Sequence, residues 1–348
     1  MRDSLPRLFY GVGLALMAGW ILVLARPIIL PVMASIVVAY VVLGMVELVE
    51  RIPGLRRLPA ALRYGLAVAA CLAGVALILW LIVTNFGQVA TLMPRYQEQL
   101  LAMIQRGAIG LGIDDEPNWE TLRRDVLQHI NMQRVVLASA ASVASIVGSF
   151  TVVLIYAGFL LAEKGAFANK IALLSDEPAK VAQIQALIRD INSRIGTYLV
   201  MKTLVNIMLG VSSYAILRGF GIEFAAFWAL LIGLFNYVPY FGGIVGVALP
   251  TLLAILQFGD FWQVFVFVLA MCVPQVALGN FIEPWLMGKS LNLSPFVILV
   301  GLVSWMSMWG IAGAILSVPI MAILVIIFSE FESTRPIAVL LSKKGEIE

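Results

Sequence analysis

The sequence predicts an all-α polytopic membrane protein, with about eight transmembrane segments and broken or re-entrant helices in its C-terminal half. Three observations carry this. Of 348 residues, 61% are hydrophobic and 12% charged, where soluble chains run at about 45–50% and about 25%. The mean hydropathy is +0.99. The apolar residues also gather into runs of roughly 20 or more, the length that crosses a hydrocarbon core of about 30 Å as a helix.

The runs fall at 8–25, 28–49, 64–86, 135–162, 198–217, 224–256, 262–282 and 294–328. Residues 1–87 hold the first three. Only Arg26-Pro27 separates the first two, so they pair as a tight hairpin. The apolar stretch 1–25 lacks a small-residue cleavage site and reads as a retained first span. Between the second and third runs, "RIPGLRRLPAALR" holds four Arg and no acid. Short basic loops stay cytoplasmic. Arg2 and Arg7, two crossings earlier, put the N-terminus on that same side, and eight crossings return the C-terminus to it.

Residues 88–134 then form an extracytoplasmic helical segment, with five Arg against six acids. In "DEPNWETLRRDVLQHI", Trp119, Leu122, Val126 and Ile130 make one apolar stripe, as in a surface helix. The fourth span follows at 135–162. Residues 163–197 carry a cytoplasmic amphipathic helix. Ser175, Asp176 and Pro178 open it, and Val181, Ile184, Ile188, Ile191 and Ile195 keep a 3,4,3,4 spacing. Residues 198–329 form a C-terminal core, and 330–348 a cytoplasmic tail.

Two segments of the core are too long. Run 224–256 has 33 residues and run 294–328 has 35, about 50 Å each as helix against about 30 Å of hydrocarbon. Each carries its own break. In "NYVPYFGG" Pro239 removes an amide hydrogen and Gly242-Gly243 permit a sharp reversal. In "MSMWGIAG" Gly310 and Gly313 do the same. Each break is followed by a proline, Pro250 or Pro319, which has the layout of an internal repeat. Whether each run is a re-entrant hairpin or a pair of short spans stays open from sequence. Paired interrupted segments point to a transporter's binding site, since broken backbone at membrane depth must be buried by protein or reached by water. The two breaks are therefore expected to line one cavity. Candidate solute-binding or gating residues are Asn236, Tyr237, Pro239, Tyr240, Gly242, Gly243 and Pro250, then Asn280, then Trp309, Gly310, Gly313 and Pro319.

Gln275, Asn280 and Glu283 recur on roughly one helical face. Glu283 is the acid set deepest in the C-terminal half, and Pro284 disfavours helical geometry at it. An acid inside a span is costly and points to function. Glu283, Gln275 and Lys202 are the candidate coupling-ion or proton residues, with Lys202 and Asn206 as possible partners of Glu283. The alternative is a structural ion pair of Glu283 with Lys289.

Other classes are poorly served. His129 is the only His, so no His-based metal site or relay is available, and neither cofactor nor metal is expected. No Asp lies inside a span and no HExxH or Walker motif occurs, which argues against an intramembrane hydrolase and an ATP-driven pump. Cys71 and Cys272 sit in apolar runs as small core residues. Net charge is +3, with no basic cluster suited to nucleic acid.

The residues "YVPYFGGIVGVALP" and "NFIEPWLMGKSLNLSPFVILVGLVSWMSMWGIAGAILSVPIMAIL" resemble the signature of the autoinducer-2 exporter family, a permease-like group. That pattern has a PYxGxxxG turn, an N-x-I-x-P-x-x-x-G stretch, L-x-L-x-P and W-G-I-x-G-x-x-L-x-x-P. The N-terminal half matches in layout only. The resemblance implies a multi-pass bacterial inner-membrane secondary transporter that exports a small polar solute such as a quorum-sensing signal. It equally admits exchange of sodium or lithium for protons. It further implies a homo-oligomer, a ring such as a pentamer, moving in an elevator-like way.

Overall fold

The computed structural model describes residues 4–52, 55–110, 132–173, 176–287, 292–343 and 345. The expected surface helix around Trp119, together with His129, Ser175 and Lys289, lies outside them. The helices are α1 (Ser4–Leu24), α2 (Arg26–Arg51), α3 (Ala60–Gly110), α4 (Met132–Ala172), α5 (Pro178–Gly219), α6 (Ala225–Phe235) and α7 (Phe241–Phe258). There follow α8 (Phe261–Val276), a π-helical segment (Ala277–Ile282), α9 (Glu283–Met287), α10 (Pro295–Trp309), α11 (Ile311–Glu330) and α12 (Arg335–Leu341). Among the described residues six helices are long and apolar enough to cross a membrane, or seven counting the bent α4, against the eight spans read from sequence. The amphipathic stretch 178–197 is not a separate helix: it runs without interruption into the next span as α5, 42 residues long.

The chain divides into two compact units: 1–67 with 149–202 and 287–348, and 68–148 with 203–286. In the first, α10 and α11 form a hairpin joined at Gly310, whose φ of 68° and ψ of −148° suit only glycine. Its tip packs on the α1–α2 turn. Trp309, 1% exposed, donates from Nε1 to the Leu22 carbonyl at 3.0 Å. The other ends meet elsewhere: Gln183 donates to Glu330 at 2.8 Å, and α12 clips the start of α10 through the Ser294 amide and the Leu341 carbonyl. At 20 residues, α11 is about 30 Å long. This overlong run is thus two paired helices of near-spanning length.

In the second unit α5 ends in a Schellman motif. Gly221 takes φ 69°, the Ile222 amide donates to the Leu217 carbonyl, and the Gly221 amide to that of Arg218. Leu217 and Ile222 are both buried in the core that α5–α8 share. Helices α5 and α6 cross closely because each offers a glycine. A Cβ at Gly233 would stand 3.0 Å from the Asn206 carbonyl oxygen, and one at Gly210 would stand 3.3 Å from that of Ala229.

Helix α6 has 11 residues, about 16 Å, well short of the hydrocarbon thickness. It turns at Asn236–Tyr240 and returns as α7. The far end of α7 comes back to where α6 began: Gln257 donates to the Gly221 carbonyl at 2.7 Å and accepts from the Glu223 amide at 3.1 Å. From α3, Arg95 pairs with Glu223 at 3.3 Å, and the Tyr96 hydroxyl donates to the same carboxylate. Burial, then the Glu223 carboxylate, push the Tyr96 phenol far above its ordinary range, so it stays a donor.

The break glycines work differently from the sequence expectation. Positive φ falls on Tyr240 (61°) and Gly310 (68°), not on Gly242 or Gly313. Gly242 and Gly313 serve close approach instead. A Cβ on Gly242 would fall within 3.0 Å of Phe235 and Asn236 backbone, and one on Gly313 within 3.0 Å of Trp305 backbone. Backbone cannot swing aside as a side chain does. Gly242→Ala and Gly313→Ala are therefore each expected to cost about 1–3 kcal/mol and to lower the melting temperature in detergent. Gly158→Ala, with nothing within 4 Å of its Cβ, is the neutral control.

Candidate functional site

The α6–α7 turn is a strained reversal. The Phe241 amide donates to the Pro239 carbonyl at 2.6 Å, closing a three-residue turn around Tyr240 at φ 61° and ψ −44°. That γ-turn form is rare and strained, and more so for a bulky residue. Such strain collects at functional sites. The carbonyls of Asn236 and Tyr237 accept none of the turn's hydrogen bonds. Tyr240 is 54% exposed, beside exposed Phe241 and Ile244.

Behind this turn lies a polar cluster shared with α5. The Asn236 Nδ2 donates to Asn206 Oδ1 at 2.8 Å. The Tyr237 hydroxyl and Thr203 Oγ1 share a hydrogen bond at 2.8 Å. Asn206 is 4% exposed, and its own Nδ2 has no hydrogen-bond partner among the described residues. It stands beside the Tyr237 hydroxyl but outside bonding geometry. Asn206 is 13 residues from Gly219, about 20 Å along α5, so the cluster sits deep in the helical layer.

Gln275 of α8 joins from the other side. Cβ atoms built on Gly243 and Gly246 would lie 3.5 Å from its Oε1 and 3.1 Å from its Nε2, so its amide covers the glycine face of α7. Gly242, Gly246 and Pro250 recur every four residues along that helix and are all buried. The Gln275 Nε2 is itself buried, with no hydrogen-bond partner among the described residues. Lys202, 5% exposed, is the one charged side chain among the buried described residues, one turn before Asn206.

Of the residues singled out from sequence, Asn236, Tyr237, Pro239, Tyr240, Gly242, Gly243, Pro250 and Gln275 gather around this hairpin. Trp309, Gly310, Gly313 and Pro319 belong to the other unit, where Trp309 and Pro319 are buried in packing. Asn280 is exposed. Glu283 is half-buried and fully helical, with φ −59° and ψ −52°. This corrects the expectation that Pro284 would hold it out of helical geometry. The π-helical segment just before it absorbs the mismatch. Asn206 bonds to Asn236, and that bond was not foreseen. Thr203 was missed altogether. Its signal was a Thr and an Asn three apart within an apolar run.

The Asn206–Asn236 bond yields a measurable expectation. Polar pairs between helices in membrane proteins couple by about 0.6 kcal/mol on average and at most about 1.7. A double-mutant cycle of Asn206→Ala and Asn236→Ala, followed by thermal unfolding in detergent, should return coupling in that range. Strict additivity would mean that the two side chains do not meet.

Comparison with known proteins follows this geometry. Residues 11–333 match the family model described as AI-2E family transporter. The chain is 26% identical over 351 residues to the AI-2 transport protein TqsA of Escherichia coli (strain K12), covering 95% of this chain and 96% of that protein. It is 26% identical to a putative transport protein of Haemophilus influenzae, covering 93% and 92%. It is 33% identical to a putative transport protein of Borreliella burgdorferi, over 56% of this chain and 53% of that protein. With its helical architecture and a family match over nearly its whole length, the chain belongs to the AI-2E family of transporters.

Proposed function

We propose that the protein is a secondary transporter that exports a small polar solute, such as a quorum-sensing signal, across the bacterial inner membrane. The α6–α7 hairpin enters the bilayer part-way and carries the solute contacts. The observation behind this is the cluster of Thr203, Asn206, Asn236 and Tyr237 at the tip of a hairpin whose first helix, α6, is too short to cross. Polar side chains at membrane depth are costly unless they serve a path. Two buried donors with no partner among the described residues, on Asn206 and Gln275, flank the same hairpin. They are groups that a solute oxygen satisfies when the hairpin moves.

A relative named as an AI-2 transport protein supports a signal molecule as cargo. A second reading, exchange of sodium or lithium for protons, draws support from Glu283. This half-buried acid directly follows a π-helical segment, a feature frequent at functional sites.

In proteoliposomes with an imposed proton gradient, Asn236→Leu and Gln275→Leu are expected to lower solute flux about tenfold or more while folded protein is retained. The reasoning is that each removes a buried hydrogen-bonding group worth about 1.5 kcal/mol. Wild-type flux in both variants would remove the hairpin from the path. Sodium-driven proton movement lost in Glu283→Gln, with no organic solute carried, would favour the second reading.

A further inference from the structure

We propose that a cavity between α2, α4 and α5 in the first unit binds a zwitterionic phospholipid, its phosphate held by Arg189 and its ammonium by Glu163. The cavity measures about 770 Å³, and all its lining residues come from that unit. That volume lies within the range of ligand sites. Val32, Tyr156, Phe159 and Phe167 form an apolar wall, and each leaves 38% or more of its surface exposed. A second space of about 760 Å³ adjoins it, sharing Leu160, Phe167 and Asn192. Together they leave room for more than a head group.

Polarity changes along the cavity. On α4, residues 147–162 carry no charge, and on α5 Lys202 is the only charged residue from Ile195 to Leu217. Charges begin part-way along the cavity, at Glu163 on one helix and at Arg194, Asp190 and Arg189 on the other. This marks the level at which lipid head groups meet a helical layer. Helix α4 bends by 55° between Glu163 and Gly165, at this same level.

The two charges are held apart. Glu163 and Arg189 both line the cavity, yet no ion pair joins them. Among the described residues Glu163 bonds to Lys170 alone, at 2.9 Å between exposed groups, which leaves its remaining lone pairs open. Arg189 has no acid partner among the described residues. A guanidinium and a carboxylate that line one cavity from two helices are complementary to a molecule that carries a phosphate and an ammonium a few ångströms apart. The guanidinium takes phosphate oxygens in bidentate fashion. A primary ammonium donates hydrogen bonds to the carboxylate, which a trimethylated one does not. Gln185 and Asn192, one turn to either side of Arg189, line the same space. A purely anionic head group would place its charge against Glu163.

The test uses the full-length protein, stripped of lipid in detergent and titrated with phosphatidylethanolamine, phosphatidylcholine or phosphatidylglycerol in mixed micelles. The shift in melting temperature is followed against lipid concentration. The ethanolamine lipid is expected to stabilise at the lowest concentration. Arg189→Gln should weaken it about tenfold, the loss of one charged hydrogen-bonding partner, and Arg189→Lys, which keeps the charge but loses the bidentate fork, should fall between Arg189→Gln and the wild type. Glu163→Gln should abolish the preference for the ethanolamine over the glycerol head group. Equal stabilisation by all three lipids, preference for phosphatidylglycerol, or an undiminished effect in Arg189→Gln would overturn the proposal. Binding of free phosphoethanolamine as tight as that of the lipid would also overturn it, since the apolar wall would then contribute nothing.

Discussion

A backbone that enters lipid must satisfy its own hydrogen bonds, and every break in a helix frees some of them. The two overlong segments meet this constraint by the same device. Each folds into a hairpin whose second helix begins almost on top of the end of the first. That is possible because a glycine removes the only atom that would collide with backbone, Gly242 against Phe235 and Asn236, Gly313 against Trp305. Close approach keeps the reversal short, so few groups are left over. The hairpins then diverge. The tip at Gly310 is closed off by Trp309 and the α1–α2 turn. The tip at Tyr240 keeps a strained residue, two carbonyls that accept none of the turn's own hydrogen bonds, and an exposed surface.

The polar groups around the second tip follow from that difference. A hairpin ending part-way down α5 brings the side chains of Asn236 and Tyr237 to a level where an apolar helix would give no hydrogen-bonding company. Thr203 and Asn206 supply it. The company is incomplete, because Asn206 and Gln275 each keep a buried donor unmatched. An unmatched buried donor costs about 1–3 kcal/mol. The hairpin is pinned at its other end, where Gln257, Glu223, Arg95 and Tyr96 tie α7, the α5–α6 turn and α3 together. Firm anchoring at one end and unsatisfied donors at the other is the arrangement expected of an element that shifts at its tip.

Much of this was legible in the sequence. Composition and run length gave the helical membrane class. Length against bilayer thickness located both breaks, and Pro178 began α5 as its position indicated. The rest depended on contacts that periodicity does not encode. Gly242 and Gly313 were readable as break glycines, but whether they supply positive φ or close approach is decided by the neighbouring helix. Thr203 was missed, and Asn206 was read as a possible partner of Glu283 and not of Asn236, because polar residues in an apolar run carry meaning only once something faces them. The π-helical turn before Glu283 leaves that acid helical despite Pro284, and a single inserted residue leaves no mark on a hydrophobicity pattern. The amphipathic stretch of α5 read as separate from its span because its composition shifts there, while the backbone runs on.

The central claim is that the α6–α7 hairpin enters and leaves the bilayer on one side. It is tested most directly by thiol labelling with a membrane-impermeant reagent, in a background with Cys71 and Cys272 replaced. Single cysteines at Gln257 and Tyr240 are labelled from each face of sealed vesicles. The account predicts that Tyr240→Cys reacts only from the face at which Gln257→Cys reacts, and more slowly. Rapid reaction of Tyr240→Cys from the opposite face would mean that α7 crosses the whole membrane, and would contradict it.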